Sequence, residues 1–111
     1  LRKIALKDKV DESREFASRI QTSLGPVAAR VNRGTKDRGT KKAPFVVLIG
    51  ASMPAVLVEI GFITNSQEEI MMRRGDHRQR IADALYKGVS SYANGLSHFQ
   101  VAQQSTKAGG Q

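Results

Sequence analysis

The clearest periodicity in the N-terminal third of the chain is helical. Phe16, Ile20 and Leu24 recur at intervals of four residues, which places them on one face of an amphipathic helix. Asp11 precedes this stripe and suits the N-cap, so the pattern predicts a helix that begins near Asp11. The Gly25-Pro26 pair is expected to interrupt this helix, because proline removes a helical hydrogen bond but can open a new turn.

Two short apolar runs follow in the middle of the chain. Residues 45–49 read FVVLI and residues 55–60 read AVLVEI, with a turn-like connector between them. Their apolarity is continuous rather than alternating, which indicates strands covered on both faces. The sequence therefore predicts the α/β fold class, with helices on each side of a sheet. Two strands alone leave open edges, so we expect further strands, from an N-terminal part absent from this chain or from another subunit.

The C-terminal half predicts two helices. Ser66 and Glu69 have the spacing of a capping box at the start of a short helix, and Asn65 is an alternative cap. A longer helix is predicted over residues 77–93, followed by a stop at Gly95. Its expected buried stripe consists of Ile81, Leu85, Val89 and Tyr92. We expect residues 1–95 to form part of one domain, incomplete at its N-terminus, and residues 96–111 to form a flexible tail.

Composition narrows the possible partners. The chain has 111 residues, no cysteine and a net charge of +8, so it suits one small domain with an anionic partner. Cysteine-based zinc sites, nucleophiles and disulfides are excluded, and neither a membrane span nor a signal peptide is predicted. Nucleic acid, a membrane surface and an anionic cell wall remain possible. Only 5% of the residues are aromatic, which weakens a reading as a single-stranded nucleic-acid binder.

The basic charge is concentrated in residues 32–44, which read NRGTKDRGTKKAP and are predicted to form a loop. One interpretation is an ordinary solvated loop. The other is a basic rim beside a site for an anionic ligand, in which Lys41 and Lys42 contact it. No nucleic-acid-binding motif accompanies these residues.

Glu59 is the one charged residue in the apolar stretch from Pro54 to Ile63. On a strand over residues 55–60 it shares a covered face with Ala55 and Leu57. A buried carboxylate needs a partner or a cavity, because its desolvation costs several kcal/mol. Two interpretations follow: a structural glutamate paired with a basic residue, or a general acid/base in a cleft at the carboxyl end of a strand.

The stretch MPAVLVEIGFITN, residues 53–65, resembles the C-terminal signature of zinc-dependent N-acetylmuramoyl-L-alanine amidases of the amidase type 3 family. RGTK at residues 38–41 with FVVL at 45–48 is similar to a loop and strand of that family, and Glu68-Glu69 with RIADALYKGV at 80–89 is similar to its last helices. The likeness runs from about Ser13 to Ala93.

The resemblance implies a twisted mixed sheet flanked by helices, and hydrolysis of the amide between N-acetylmuramic acid and L-alanine of peptidoglycan. It also implies a zinc cofactor that activates water, a location in the periplasm or outside the cell, and Glu59 as the catalytic acid/base. A regulatory protein partner is possible and unidentified. Nucleic-acid partners are not expected.

The family's zinc ligands, two histidines and a glutamate, have no match in this chain. Its two histidines, His77 and His98, fit no zinc motif and are predicted to be ordinary surface residues. The ligands are therefore expected from a missing N-terminal segment, and activity of this chain alone is left open. The alternative interpretation is a non-catalytic cell-wall or interaction module, and a nucleic-acid-binding domain is a third, less favoured one. Histidines in the sequence upstream of this chain would favour the interpretation as an enzyme over that as a binding module.

Overall fold

A computed structural model describes the backbone of residues 6–31 and 46–108, and the side chains of residues 8–31 and 48–96. Four helices account for most of these residues: α1 (Leu6–Val31), α2 (Val46–Ile49), α3 (Ser66–Met72) and α4 (Gly75–Ala108). The segment between α2 and α3 is irregular, and no β-strand occurs in these two ranges.

The prediction of an α/β fold with a mixed sheet is therefore wrong for the part of the chain that the structure describes. Val46–Ile49 forms a single helical turn, and residues 54–62 have no regular secondary structure. A strand needs a neighbouring strand to pair its backbone N–H and C=O groups, and no described segment supplies one. At Ala55 the N–H donates instead to the Ser13 hydroxyl of α1, at 3.0 Å.

The core lies between α1 and α4. The buried apolar residues of the described chain are Ile20, Ile81, Ala84 and Tyr92. Phe16 stacks on Tyr92 with 4.7 Å between ring centroids, an arrangement that aromatic pairs favour. The predicted stripes are thus confirmed at Phe16, Ile20, Ile81 and Tyr92, whereas Val89 is 46% exposed.

Both long helices extend further than their patterns predict. α1 continues through Gly25-Pro26. Proline has no N–H to donate to the carbonyl four residues earlier, and because Pro26 is exposed, water can bond that carbonyl instead. Leu24 and Val27, on either side of the pair, remain partly buried and hold the helix in place. α4 continues past Gly95, because one glycine costs a helix only about 1 kcal/mol.

The cap of α3 is Asn65 rather than Ser66. The Asn65 side-chain oxygen accepts hydrogen bonds from the amides of Gln67 and Glu68, at 3.1 and 3.2 Å. The predicted capping box at Ser66 is wrong, because the carboxylate of Glu69 pairs with Arg73 one turn later. The alternative prediction of Asn65 as the cap is confirmed.

Among the described helices, none combines the length and apolar composition needed to cross a bilayer.

Candidate functional site

Glu59 lies in the irregular segment between α2 and α3, and its side chain is exposed. The predicted burial on one face of a strand is wrong, since the described chain places no sheet around residues 55–60. The apolar neighbours Leu57 and Ile60 are likewise exposed. Glu59 therefore needs no ionic partner to offset desolvation, and its carboxylate is accessible to a molecule in solution.

A small cavity of about 120 Å³ lies beside Glu59, where α1, α3 and α4 meet the irregular segment. Its walls are mainly aliphatic, with four polar side chains among them. The apolar lining is Leu24, Val27, Ala28, Val31, Ile60 and Ile81, and the polar lining is Gln21, Glu59, Glu68 and His77. The structure thus places Glu59 at a concave site, as the acid/base interpretation requires.

His77 belongs to this cavity and is only 5% exposed. The prediction of an ordinary surface histidine is wrong. The sequence carried a signal for its burial, because His77 continues the buried face of α4 through Ile81, Ala84 and Gly88 at intervals of three or four residues. The side chain of His98, on the C-terminal part of α4, lies outside the described residues.

Gln21 and Glu68 are the two polar lining residues that the sequence analysis does not single out as site residues. The Glu68 Oε2 atom accepts a hydrogen bond from the backbone N–H of Phe62, at 2.7 Å. The backbone N–H of Asn65 donates to the Phe62 carbonyl, at 3.0 Å. Phe62 lies three residues after Glu59. Its backbone N–H and its backbone carbonyl are therefore both hydrogen-bonded to residues at the start of α3. The signal in the sequence was an acidic residue three positions after the cap Asn65.

The part of the chain that the structure describes does not fit a zinc ion. Glu59, Glu68 and His77 line one cavity, but the described residues contain no group of three histidine or carboxylate side chains that could hold a metal. One oxygen of Glu68 is already bound to the Phe62 amide. Zinc sites in proteins take three or four such ligands, so the described residues do not provide a metal centre.

An ion pair lies beside the cavity, at the start of α4. Arg74 contacts both carboxylate oxygens of Asp76, with N–O distances of 3.1 and 3.0 Å, immediately before His77. The hydrogen bond from Arg74 holds the pKa of the Asp76 carboxyl below its ordinary value of 3.8. The predicted basic rim, residues 32–44 with Lys41 and Lys42, lies outside the described residues.

Comparison with known proteins identifies the family. Residues 4–91 match the family model described as N-acetylmuramoyl-L-alanine amidase, and the chain belongs to that family. The amidase LytC of Bacillus subtilis is 38% identical over 80 residues, and the amidase AmiA of Escherichia coli is 40% identical over 85 residues. The protein YqiI of Bacillus subtilis, described as uncharacterized, is 39% identical over 82 residues. No solved structure matches the chain.

These matches cover most of this chain but a smaller part of each relative. The aligned residues are 74%, 72% and 77% of this chain for YqiI, LytC and AmiA, and 37%, 15% and 28% of those proteins. The chain thus spans well under half the length of the relatives it matches.

Proposed function

We propose that this chain is part of a peptidoglycan hydrolase that cleaves the amide between N-acetylmuramic acid and L-alanine of the stem peptide. The match of residues 4–91 to the amidase family model is the observation that carries this proposal. Two matched relatives, LytC and AmiA, are named N-acetylmuramoyl-L-alanine amidases. The net charge of +8 suits an anionic cell-wall polymer. The proposed location is the periplasm or the exterior of the cell, where the wall lies.

Glu59 is the proposed catalytic acid/base. It is exposed, it lies in the segment that carries the family resemblance, and it lines a cavity. Its carboxylate takes a proton from the water that attacks the amide carbonyl carbon. The carbon–nitrogen bond then breaks, and Glu59 returns the proton to the leaving amine of L-alanine. The products are a free lactyl carboxylate and a free alanine amino group.

Zinc remains the proposed cofactor because the amidase type 3 family is generally zinc-dependent. A zinc ion supplies a Lewis acid and an activated water in such hydrolysis. Since the described residues do not fit a zinc ion, the chemistry proposed for this chain is the proton transfer by Glu59, and the metal ligands are proposed to lie outside the described residues.

The test uses the full-length gene product that carries this sequence, with its zinc content measured. Purified peptidoglycan is incubated with the protein, and new alanine amino groups are quantified by chemical labelling. Glu59→Gln is expected to lower turnover by about 10²–10⁴-fold, the usual contribution of a general acid/base, with zinc content and peptidoglycan binding unchanged. Glu69→Gln is the matched control, because Glu69 is a glutamate that pairs with Arg73 on α3.

Near-normal turnover of Glu59→Gln with zinc bound would show that Glu59 is not the acid/base. Peptidoglycan binding by the wild-type protein without new amino groups would support a non-catalytic wall-binding module instead.

A further inference from the structure

We propose that Glu68 is a positioning residue that fixes Glu59 by holding the backbone of Phe62. This inference rests on the proposed function, because it assigns to Glu68 a role in a reaction in which Glu59 transfers the proton. It concerns a contact within the described residues, the 2.7 Å hydrogen bond from the Phe62 N–H to Glu68 Oε2.

The contact is short and charge-assisted. A backbone amide that donates to an ionised carboxylate makes a stronger bond than one that donates to a neutral acceptor. The Glu68 side chain also covers the residue before Phe62: a Cβ atom placed on Gly61 would lie 3.6 Å from Glu68 Cβ and 3.7 Å from Oε2. Glu68 therefore packs along Gly61 and Phe62, the two residues that follow the Glu59-Ile60 pair.

Glu68 is itself held in place. Its own N–H donates to the Asn65 side-chain oxygen at 3.2 Å, and it lies in the first turn of α3, where the helix dipole favours a carboxylate. The Asn65 N–H in turn donates to the Phe62 carbonyl at 3.0 Å. These three bonds close a ring that joins Phe62, Asn65 and Glu68. The ring anchors the C-terminal side of the Glu59 segment to a helix.

Glu68 and Glu59 line one cavity, and a positioning role of Glu68 is distinguishable from a role as a second proton-transfer group. The bond from the Phe62 amide needs only an acceptor oxygen at Glu68, which glutamine also supplies, whereas proton transfer needs a group that titrates. We expect the effect of Glu68 through the position of Glu59. A catalytic group displaced by about 1 Å can lose about 10²-fold in rate.

Glu69 provides a matched control one residue away. Its Oε1 accepts from Arg73 Nη2 at 2.7 Å, within α3. Glu68→Ala removes the acceptor for the Phe62 amide, whereas Glu69→Ala removes a carboxylate of the same length from the same helical turn. Glu68→Gln keeps a carbonyl oxygen that can accept from Phe62, so it is the conservative variant.

The experiment measures turnover, KM and Phe62 amide hydrogen exchange in the full-length gene product. Glu68→Ala is expected to accelerate Phe62 exchange at least tenfold and to lower kcat by about 10–100-fold, with KM little changed. Glu68→Gln is expected to retain most of the turnover, and Glu69→Ala to behave as wild type. A double-mutant cycle separates positioning from folding: in a Glu59→Gln background, Glu68→Ala should cause little additional loss.

The inference is overturned if Glu68→Ala and Glu69→Ala have the same turnover, if Phe62 exchange does not change, or if the Glu68→Ala loss is undiminished in the Glu59→Gln background. Failure of the proposed function has a different signature. In that case the wild-type protein releases no alanine amines, or Glu59→Gln alone is as active as wild type, and the role of Glu68 in catalysis falls with it even where the Phe62 contact is confirmed.

Discussion

Gly88 of α4 lies directly against Ile20 of α1. A Cβ atom added at Gly88 would come within 2.8 Å of both the Cα and the Cδ1 atoms of Ile20, and within 3.3 Å of the Arg19 carbonyl oxygen. Two of these three atoms belong to the backbone, which cannot move aside as a flexible side chain can. The contact therefore sets the distance between the two long helices that form the core.

Gly88→Ala is expected to destabilise the protein despite the higher helix propensity of alanine. The added methyl forces α1 and α4 apart, and overpacking of this kind costs about 1–3 kcal/mol. Gly95→Ala is the matched control, because Gly95 lies inside the same helix and its added Cβ would meet, beyond its neighbouring residues, only the flexible end of the Arg19 side chain, with Nη2 at 3.9 Å. That variant should gain about 0.5–1 kcal/mol. Chemical denaturation of both variants checks the prediction, and equal stabilities would contradict it.

Tyr92→Phe is expected to lower stability by about 0.5–1.5 kcal/mol. The Tyr92 hydroxyl donates to Glu12 Oε2 at 2.7 Å and joins α4 to α1, while the ring keeps its stack on Phe16 in the variant. The control is Tyr86→Phe, since Tyr86 is 73% exposed and surface changes usually stay within about 0.5 kcal/mol. Urea titrations at neutral pH measure both. If Tyr86→Phe lowered the free energy of unfolding as much as Tyr92→Phe, the hydrogen bond from Tyr92 to Glu12 would not explain the effect.

The same phenol predicts a loss of stability in alkali. Burial raises the pKa of Tyr92 above its ordinary value of 10, and the Glu12 carboxylate raises it further. A folded-state pKa above the unfolded one stabilises the fold below pH 10 and ceases to do so as the pH rises toward the folded value. The unfolding free energy of the wild type should therefore fall above pH 10, and Tyr92→Phe should show a shallower fall. Parallel curves for the two proteins would refute this assignment.

Asn65→Ala is expected to cost about 1 kcal/mol, the usual effect of losing an N-cap. The Asn65 oxygen accepts from the amides of Gln67 and Glu68, which would otherwise lack partners in the first turn of α3. Ser66→Ala is the control that separates this cap from the capping box expected at Ser66, and it should be nearly neutral. Thermal unfolding of the two variants distinguishes the Asn65 cap from the Ser66 capping box. A larger loss of stability in Ser66→Ala than in Asn65→Ala would support the capping box.

Helical periodicity predicted much of the fold where one face packs against a partner helix. Spacing alone identified four core residues: Phe16 and Ile20 on α1, and Ile81 and Tyr92 on α4. This was possible because the apolar faces of α1 and α4 pack against each other within the described chain. The prediction of strands at residues 45–49 and 55–60 was wrong for a physical reason. β-branched runs indicate strands only when another strand pairs with their backbone, and the residues around Glu59 have no such partner in the described ranges.

The sequence predicted a cleft beside Glu59 but not its geometry, and the catalytic role of Glu59 stays a prediction. Glu59 was selected by its position in an apolar stretch, and it does line a cavity, although exposed rather than buried. The polar residue type of His77 predicts a surface position, but its place on the buried face of α4 puts it in the interior. Glu68 was missed because its role depends on a tertiary bond to a backbone amide, and a sequence shows donors and acceptors without showing which ones meet.

The pairing of Arg74 with Asp76 predicts an acid titration at the start of α4, next to His77. The hydrogen bond from Arg74 lowers the pKa of the Asp76 carboxyl below 3.8, so the stabilising contribution is present above pH 3.8 and is lost as the pH falls through the lower, folded value. Arg74→Gln should return the titration midpoint of Asp76 toward 3.8, as measured by NMR of the Asp76 side-chain carbon.

Added salt should shift the Asp76 midpoint in the same direction, because the Arg74–Asp76 pair is exposed. Arg73→Gln is the control, since Arg73 pairs with Glu69 instead. An Asp76 midpoint that shifts equally in the two variants would show that general positive charge, rather than the Arg74 contact, sets this pKa.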